Sequence, residues 1–419
     1  MVPLMAKTSD RMPEGASETL GSLIARYRGY KHWTQRKLAQ EMGRSISWVT
    51  QVERGQIEIK TIDVLIRLEE VLEIPRDELV EAGMGPGKSK SLREQSHIVV
   101  VRQAIAGHPV PQLFSVAARP GKITVDLSNI GRQIHSAWEL IHSSKYQELG
   151  PLLAKLILDL EMASRTSGDP DQLGILSHLA DAYQIAAAML VKIGDAGAGW
   201  VAADRAITAG ERCNDQGLIL AGQHRLARTL LDSKDRVLAQ HVLEQGIRMV
   251  NDKESLQDPG LASLVGACWL ILSIIHAREH NGDKARQCLD SARSMAKRLG
   301  CDRNDYGTEF GPTNVAMHEV AVAVELGEGQ TALEKAKSVP RGKLSHERQA
   351  HYLIDVARAN VLVKLPSEAI KALLRAEQYS LQELSHLALV ATVIDEIEHQ
   401  LKHKKYPRDL RELKNRLYN

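Results

Sequence analysis

Between Arg26 and Lys60 the chain gathers eight Lys/Arg (26, 28, 31, 36, 37, 44, 54, 60) against three acids (Glu41, Glu53, Glu58). That is an excess of five positive charges inside a 419-residue chain whose net charge is only +2. A local basic patch suits a polyanion, because cations on phosphates release condensed counterions. The near-neutral whole excludes a polybasic coat. A second candidate is Ala82–Ser89, AGMGPGKS, which fits a relaxed P-loop pattern ending in Gly87-Lys88-Ser89. A P-loop needs a buried strand before it and a helix after it, so that backbone N–H groups wrap the phosphates. The segment before Ala82 reads as helical, and no later apolar strand ends in an Asp to hold Mg²⁺. Gly and Pro crowd the stretch as in linkers, and a P-loop NTPase switch using Lys88 stands only as a minor alternative. His318-Glu319 lacks the second histidine of a zinc motif, and His276, His280 and His403 make no ligand set. Cys213, Cys268, Cys288 and Cys301 form no C-x-x-C pair and read as reduced thiols. No nucleophile elbow, paired carboxylates or dinucleotide fingerprint occurs. The expectation is therefore no catalytic residue, no metal, no cofactor and no enzyme activity.

The composition is 43% hydrophobic and 25% charged, with only two Phe. Leu, Ile, Val and Ala must build the core, which favours an all-α fold. Residues 1–17 read as a flexible tail with no sustained apolar stretch, so not a signal peptide. The longest apolar run, near Leu264–Ile275, falls short of the roughly 20 residues that span a bilayer. No membrane partner and a cytoplasmic location are expected.

Residues 18–81 read as five helices. Leu20, Ile24 and Tyr27 share one apolar face. Thr34 caps a helix over Gln35–Met42, with Leu38 and Ala39 inward. Gly43 marks a tight turn. Ser45 caps a third helix carrying Val49 and Val52, and Gly55 ends it. Thr61 caps a fourth helix and Pro75 opens a short fifth. Two helices joined by a three-residue turn cross steeply. The small Ala39, the turn Gly43 and the β-branched Val49 supply what such a crossing needs. On Thr34-Gln35, Leu38-Ala39, Gly43, Ser45, Val49 and Glu53-Arg54-Gly55, the module resembles the Cro/C1-type (XRE) helix-turn-helix family over about Leu20–Leu79. It departs from the family at Arg44, where an apolar residue is usual.

That resemblance implies roles. Ile46, Ser47, Thr50 and Gln51 would face base edges in the major groove of double-stranded DNA, with Gln51 able to pair bidentately with adenine and Ile46 to meet a thymine methyl. Gln35, Lys31, Arg36, Lys37, Arg44, Ser45, Arg54 and Lys60 would hold the DNA backbone. Arg28 and Glu53 would form a structural pair. A helical module of this shape used only for protein contacts is the alternative.

Residues 82–130 read as a linker, with a connecting helix at about Leu92–Ile105 and a short strand at Ile123–Leu127. From 131 to 419, helices follow one another in pairs: Arg132–Ser143 with Tyr146–Arg165, Gln172–Val191 with Gly197–Cys213, Leu218–Leu231 with Arg236–Val250, Leu261–His280 with Lys284–Leu299, Pro312–Leu326 with Gln330–Ser338, and His346–Val363 with Pro366–Tyr379. Helices over Leu384–Lys402 and Pro407–Leu417 close the chain. Breaks such as Gly194-Asp195, Gly282-Asp283 and Gly327-Glu328-Gly329 put a glycine at one helix end and an acid at the next start. Equivalent points lie roughly 34–50 residues apart, the range of helical-hairpin repeats. With Ala285, Ala292, Ala332, Ala369 and Ala376 at close-approach positions, the array resembles degenerate tetratricopeptide (TPR) repeats, a TPR-like α-solenoid. Such arrays present a concave groove built from the first helix of each pair. Ligand-binding candidates on first helices are Tyr183, Arg225, Arg228, His276, Asn314, His318 and Asn360. Thr313, Asn314 and His318 equally suit a purely structural helix start after Gly311-Pro312.

Together, this layout resembles bacterial peptide-pheromone receptors of the RRNPP class, and also regulators of the same layout with undefined ligands. The resemblance implies a homodimeric transcription regulator, more often a repressor, on a palindromic operator. Its array would sense a signalling peptide or small molecule, as in quorum sensing. An alternative is control by a protein partner docking on the solenoid.

Overall fold

The computed structural model describes residues 20–55, 67–68, 71–72, 74, 96–107, 126–166, 171–233, 235–250, 255–340, 345–401 and 407–418. The chain divides into two compact units, Met1–Ser96 and His97–Asn419. Among the described residues the structure is helical, apart from one bridge between Arg303 and Phe310. The fold is all-α, a helix-turn-helix domain followed by helical repeats.

In the first unit α1 (Leu20–Tyr30), α2 (Gln35–Met42) and α3 (Ile46–Glu53) pack around Leu23, Ile24, Leu38, Ala39, Val49 and Val52. Thr34 caps α2 by accepting from the Lys37 N–H at 3.2 Å, and Ser45 caps α3 by accepting from the Trp48 N–H at 3.1 Å. Gly43 takes the left-handed conformation (φ 62°) that lets the chain turn between them. The tightest backbone approach is at Gly21, where a Cβ would lie 2.5 Å from the Val52 carbonyl oxygen. A small residue is thus needed on α1 as well as at Ala39. Leu68, Leu72 and Ile74 complete this core. Most of the fourth and fifth helices expected from the sequence lies outside the described residues, as do Lys60 and the Gly87-Lys88-Ser89 stretch.

The second unit begins with α4 (Ser96–Ala106), inside the stretch read as a linker. Ile98, Val101, Ala104 and Ile105 are buried in the core of the first repeats, so this helix is part of the array. The expected strand start, Ile123, lies outside the described residues, while Leu127 opens a helix capped by Asp126. The array continues with α5 (Leu127–His142), α6 (Tyr146–Thr166), α7 (Gln172–Lys192), α8 (Ala196–Cys213), α9 (Gln216–Asp232), α10 (Arg236–Val250), α11 (Pro259–Arg278), α12 (Gly282–Leu299), α13 (Pro312–Glu325), α14 (Gly329–Ala336), α15 (His346–Leu362) and α16 (Pro366–Tyr379). It ends with α17 (Leu381–His386), α18 (Ala388–Gln400) and α19 (Arg408–Tyr418).

Odd-numbered helices from α5 to α15 lie side by side, and each even-numbered helix packs between two of them. That is the packing of stacked helical hairpins, in which each repeat buries its apolar faces on its neighbours. Gly194 and Gly327 carry the left-handed turns expected of them. At Gly282 the expectation fails: His280 (φ 57°) takes the left-handed position, Asn281 caps α12, and Gly282 is already helical. An Asn side chain accepting from the third N–H ahead fixes the helix start there. The single helix expected over Leu384–Lys402 is two, broken at Leu387. The helices α7 and α11 are long and apolar enough to cross a membrane, yet most of their residues are buried in this array.

Between α12 and α13 a loop, residues 301–311, runs over the inner faces of the odd helices. Tyr306 (φ 52°), Gly307 (φ 62°) and Glu309 (φ 49°) all have left-handed backbone. Phe310 seats on Gly266, whose Cβ would lie 2.1 Å from its ring, and Gly307 lies against Trp138 of α5.

Candidate functional site

The outer face of α3 begins at its cap. Because Val49 and Val52 point inward, the opposite face of the helix points out: Ile46, Ser47 and Gln51 are exposed and Thr50 is half-buried. The Thr50 hydroxyl donates to Gln35 Oε1 at 2.9 Å, and Gln35 Nε2 donates to Glu53 Oε2 at 2.8 Å. Gln35 is therefore fixed at the junction of α2 and α3 instead of free in solvent. Arg28 makes a two-pronged contact with Glu53, at 2.6 and 3.0 Å, and donates to the Trp33 carbonyl at 2.8 Å. A fork of this kind is directional, so α1, α2 and α3 are held in one orientation by Arg28, Gln35 and Glu53 together. Around this face Arg36, Arg44, Ser45 and Arg54 are exposed. Arg44, the departure from the family pattern, lies over the Trp48 ring at 5.7 Å. Lys31 and Lys37 flank Trp33 at 5.3 and 5.8 Å, and Lys37 also pairs with Glu41. The result is an exposed helix face carrying polar and apolar side chains, rimmed by cations. It has the size and charge to enter a DNA major groove.

In the second unit the inner faces of the array meet at a cavity of about 30 Å³. Its wall includes Trp138 and His142 from α5, Lys192 from α7, Arg225 and Arg228 from α9, Gly307 from the loop, and Glu347 and Arg348 from α15. The first and sixth odd helices are thus brought together at one point. Lys192 forms an ion pair with Glu347 and lies 3.6 Å from Glu383 of α17. Tyr146 donates to Glu383 at 2.9 Å, and His351 meets the same carboxylate at 2.7 Å. Burial works against the Glu347 charge, yet Lys192, His142 and Arg348 hold its carboxyl well below the ordinary range. Glu383 is likewise buried, and Lys192 and His351 hold it down at about 2. Both Glu347 and Glu383 are therefore ionised, and their cation is the Lys192 ammonium. His142, Glu309 and Glu347, and Glu347, His351 and Glu383, lie close enough to share a metal. Lys192 and Arg348 already stand at those carboxylates, the latter 3.5 Å from Glu309, so the two groups read as ion-pair clusters.

The ligand candidates read from the sequence separate into two groups. Arg225 and Arg228 line the cavity. His318 is near them, and burial first, then Arg348, pushes its imidazole down to about 3, so it is neutral. Its Nδ1 faces the Asn314 carbonyl at 3.0 Å, and Asn314 itself is buried and donates to the Glu309 carbonyl at 2.8 Å. Tyr183, His276 and Asn360 do not join them. Tyr183 is buried with its hydroxyl between Glu161 and Arg205, at 2.7 and 3.1 Å. His276 is 3.4 Å from Glu279 at the end of α11, and Asn360 donates to the Val356 carbonyl of its own helix. Sequence reasoning missed Trp138, His142, Lys192, Glu347, Arg348 and Glu383. The only trace of them is Lys192, a charge ending a helix otherwise buried nearly all round.

The first unit is by its geometry a helix-turn-helix domain, and residues 19–82 match the family model described as "Helix-turn-helix domain". No curated protein matches the chain. Among solved structures, the crystal structure of Bacillus thuringiensis PlcR in complex with the peptide PapR7 and DNA is similar over 68% of this chain and 96% of that one, at 15% identity and a TM-score of 0.25. A score that low does not establish a shared arrangement of the helices.

Proposed function

We propose that the protein is a sequence-specific DNA-binding transcription regulator without enzymatic activity, working in the cytoplasm as a homodimeric repressor on a palindromic operator. Its helical array senses a peptide or small-molecule signal. The observation that carries the reading is the outer face of α3, where Ile46, Ser47 and Gln51 stand in solvent while the opposite face is the domain core. Lys31, Arg36, Lys37, Arg44 and Arg54 supply phosphate contacts around it. A single such domain contacts about half an operator, so a dimer places two α3 helices about one DNA turn, roughly 34 Å, apart. A signal acts if it binds one dimer geometry better than the other.

Selection of bound genomic fragments with the full chain, followed by footprinting, tests this. Removing both Ser47 and Gln51 side chains as Ser47→Ala/Gln51→Ala takes away about 1–3 kcal/mol of base discrimination for each good contact. The double variant is expected to lose its specific footprint while keeping salt-dependent non-specific binding. An unchanged footprint would exclude α3 as the reader.

A further inference from the structure

We propose that the cavity between α5, α9 and α15 is a binding site for a compact anion, a carboxylate or phosphoryl group, seated on Arg225 and Arg228. This deepens the sensing role proposed above, since it names the chemical class of the signal that the array takes.

The case starts from charge. Four cations (Lys192, Arg225, Arg228, Arg348) and a single carboxylate, Glu347, line the cavity. Lys192 is spent on Glu347 and Glu383, and Arg348 lies at Glu309 and donates to the Thr308 carbonyl. Arg225 and Arg228 have no such partner. They are three residues apart on α9, so they share a helix face and point the same way. Arg225 is only 5% exposed, its Nε makes no hydrogen bond, and one terminal nitrogen is satisfied only by the carbonyls of Tyr306 and Gly307. Arg228 is half-buried and has no hydrogen bond or ion pair among the described residues; Glu347, Glu383 and Asp232 act on it only from beyond contact distance. Burial first, and then the neighbouring arginines, push both guanidinium groups down, Arg225 to about 9. A buried charge without a counter-charge is strongly unfavourable. The buried Arg225 and the half-buried Arg228, both lining one cavity and neither touching a carboxylate, are explained if an anion completes the site.

Size narrows the class. A space of about 30 Å³ holds two or so water-sized centres. That admits the head of a carboxylate or phosphate and excludes an extended peptide backbone. Guanidinium forks match both groups bidentately. The Trp138 ring, 5.0 Å from the Arg225 guanidinium, fixes that fork in place. Bound there, an anion would link α9 to Arg348 on α15, and through Arg225 to the left-handed backbone at Tyr306 and Gly307.

The test uses the full chain, without DNA, at constant ionic strength set with chloride. Isothermal titration and thermal unfolding are run with inorganic phosphate and, in a separate arm, with succinate. The expected result is saturable one-to-one binding of at least one of the two, and the arm that binds tells a phosphoryl from a carboxylate signal. Arg228→Met is expected to weaken that binding at least about tenfold, the loss of one charged hydrogen-bonding partner. The same variant should raise the melting temperature of the anion-free protein, because it removes a partly desolvated charge that no carboxylate contacts. Arg225→Lys keeps the charge without the fork and should weaken binding as well, while the exposed Lys371→Gln leaves it unchanged. Absence of saturable binding in both arms would overturn the proposal. So would equal affinity in Arg228→Met, which would place the anion elsewhere, or a lower anion-free melting temperature in that variant, which would make Arg228 a structural partner. If phosphate or succinate binds here but leaves operator affinity unchanged, the site stands and the sensing reading falls.

Discussion

Glu53 is the residue that ties the three helices of the helix-turn-helix domain together. Its carboxylate accepts from Arg28 on α1 and from Gln35 on α2 while it belongs to α3. Glu53→Ala leaves the Arg28 guanidinium half-buried without its acid, which costs about 1–3 kcal/mol in the scale of charged hydrogen bonds. Hydrogen exchange of the full chain should show faster exchange at amides of α1–α3 and unchanged rates in α7–α13. Uniform loss across the chain would mean that Glu53 is not a local clamp. Two other residues set opposite pH limbs. His318 has its folded value lowered to about 3 by burial. The unfolded chain therefore binds the extra proton first, and stability falls as pH drops from about 6.5 towards 3. Asp181 is raised to about 7 by burial and by Asp215, so the folded state holds the proton longer and stability falls as pH climbs from about 4 to 7. His318→Gln should flatten the acid limb of the melting temperature, and Asp181→Asn the limb above pH 4. A slope that survives both substitutions assigns the pH dependence to other groups.

At the level of elements, the loop over residues 301–311 depends on one contact. Phe310 is fully buried on the Gly266 face of α11. Gly266→Ala drives a methyl into the ring and should cost about 1–3 kcal/mol by overpacking, while Phe310→Ala leaves a cavity costing about 3–5 kcal/mol. Since the same ring causes both effects, Gly266→Ala/Phe310→Ala should cost clearly less than the two added together, measured by urea unfolding. Strict additivity would show that they do not meet. This loop also marks where sequence reading stops. The starts of α2 and α3 were legible because they are local: Thr34 and Ser45 each accept from an N–H three residues on, whereas Asp126, which caps α5 in the same way, lay in a stretch read as a strand. The outer face of α3 was legible for the same reason, from Val49 and Val52 inward and Ile46 and Gln51 outward. Tyr183 was misplaced because α7 is buried on nearly every side, so that its sequence shows no face to choose. Phe310 gave no signal, since its partner lies on another helix 44 positions away with no side chain at all.

The whole second unit is closed by charges that no local pattern announces. His142 ends the first odd helix, Lys192 the second, and Glu347 opens the sixth, with Glu383 beyond it. These groups are 36 to more than 200 positions apart in the chain and meet only because stacked hairpins curl. Lys192 is the hub, its side chain 9% exposed and its two carboxylates 7% and 2% exposed. Removing it as Lys192→Met would leave both acids buried without their ammonium, and breaking a buried pair from one side typically costs about 3–5 kcal/mol. The location of the loss is the sharper prediction. If Lys192 holds the ends of the array together, hydrogen exchange should rise at once in α5 and α6 and in α15 and α17, and stay unchanged in α10–α12 between them. Adding Glu347→Gln to Lys192→Met should recover part of the stability, because one of the two stranded carboxylates is then neutral. Loss of protection confined to the end of α7 would mean that Lys192 stabilises only its own helix. If breaking these ion pairs opens the array, the opening costs on the order of the same 3–5 kcal/mol. On that energy scale the proposed anion at Arg225 and Arg228 would shift the balance if its affinity differed between the two forms.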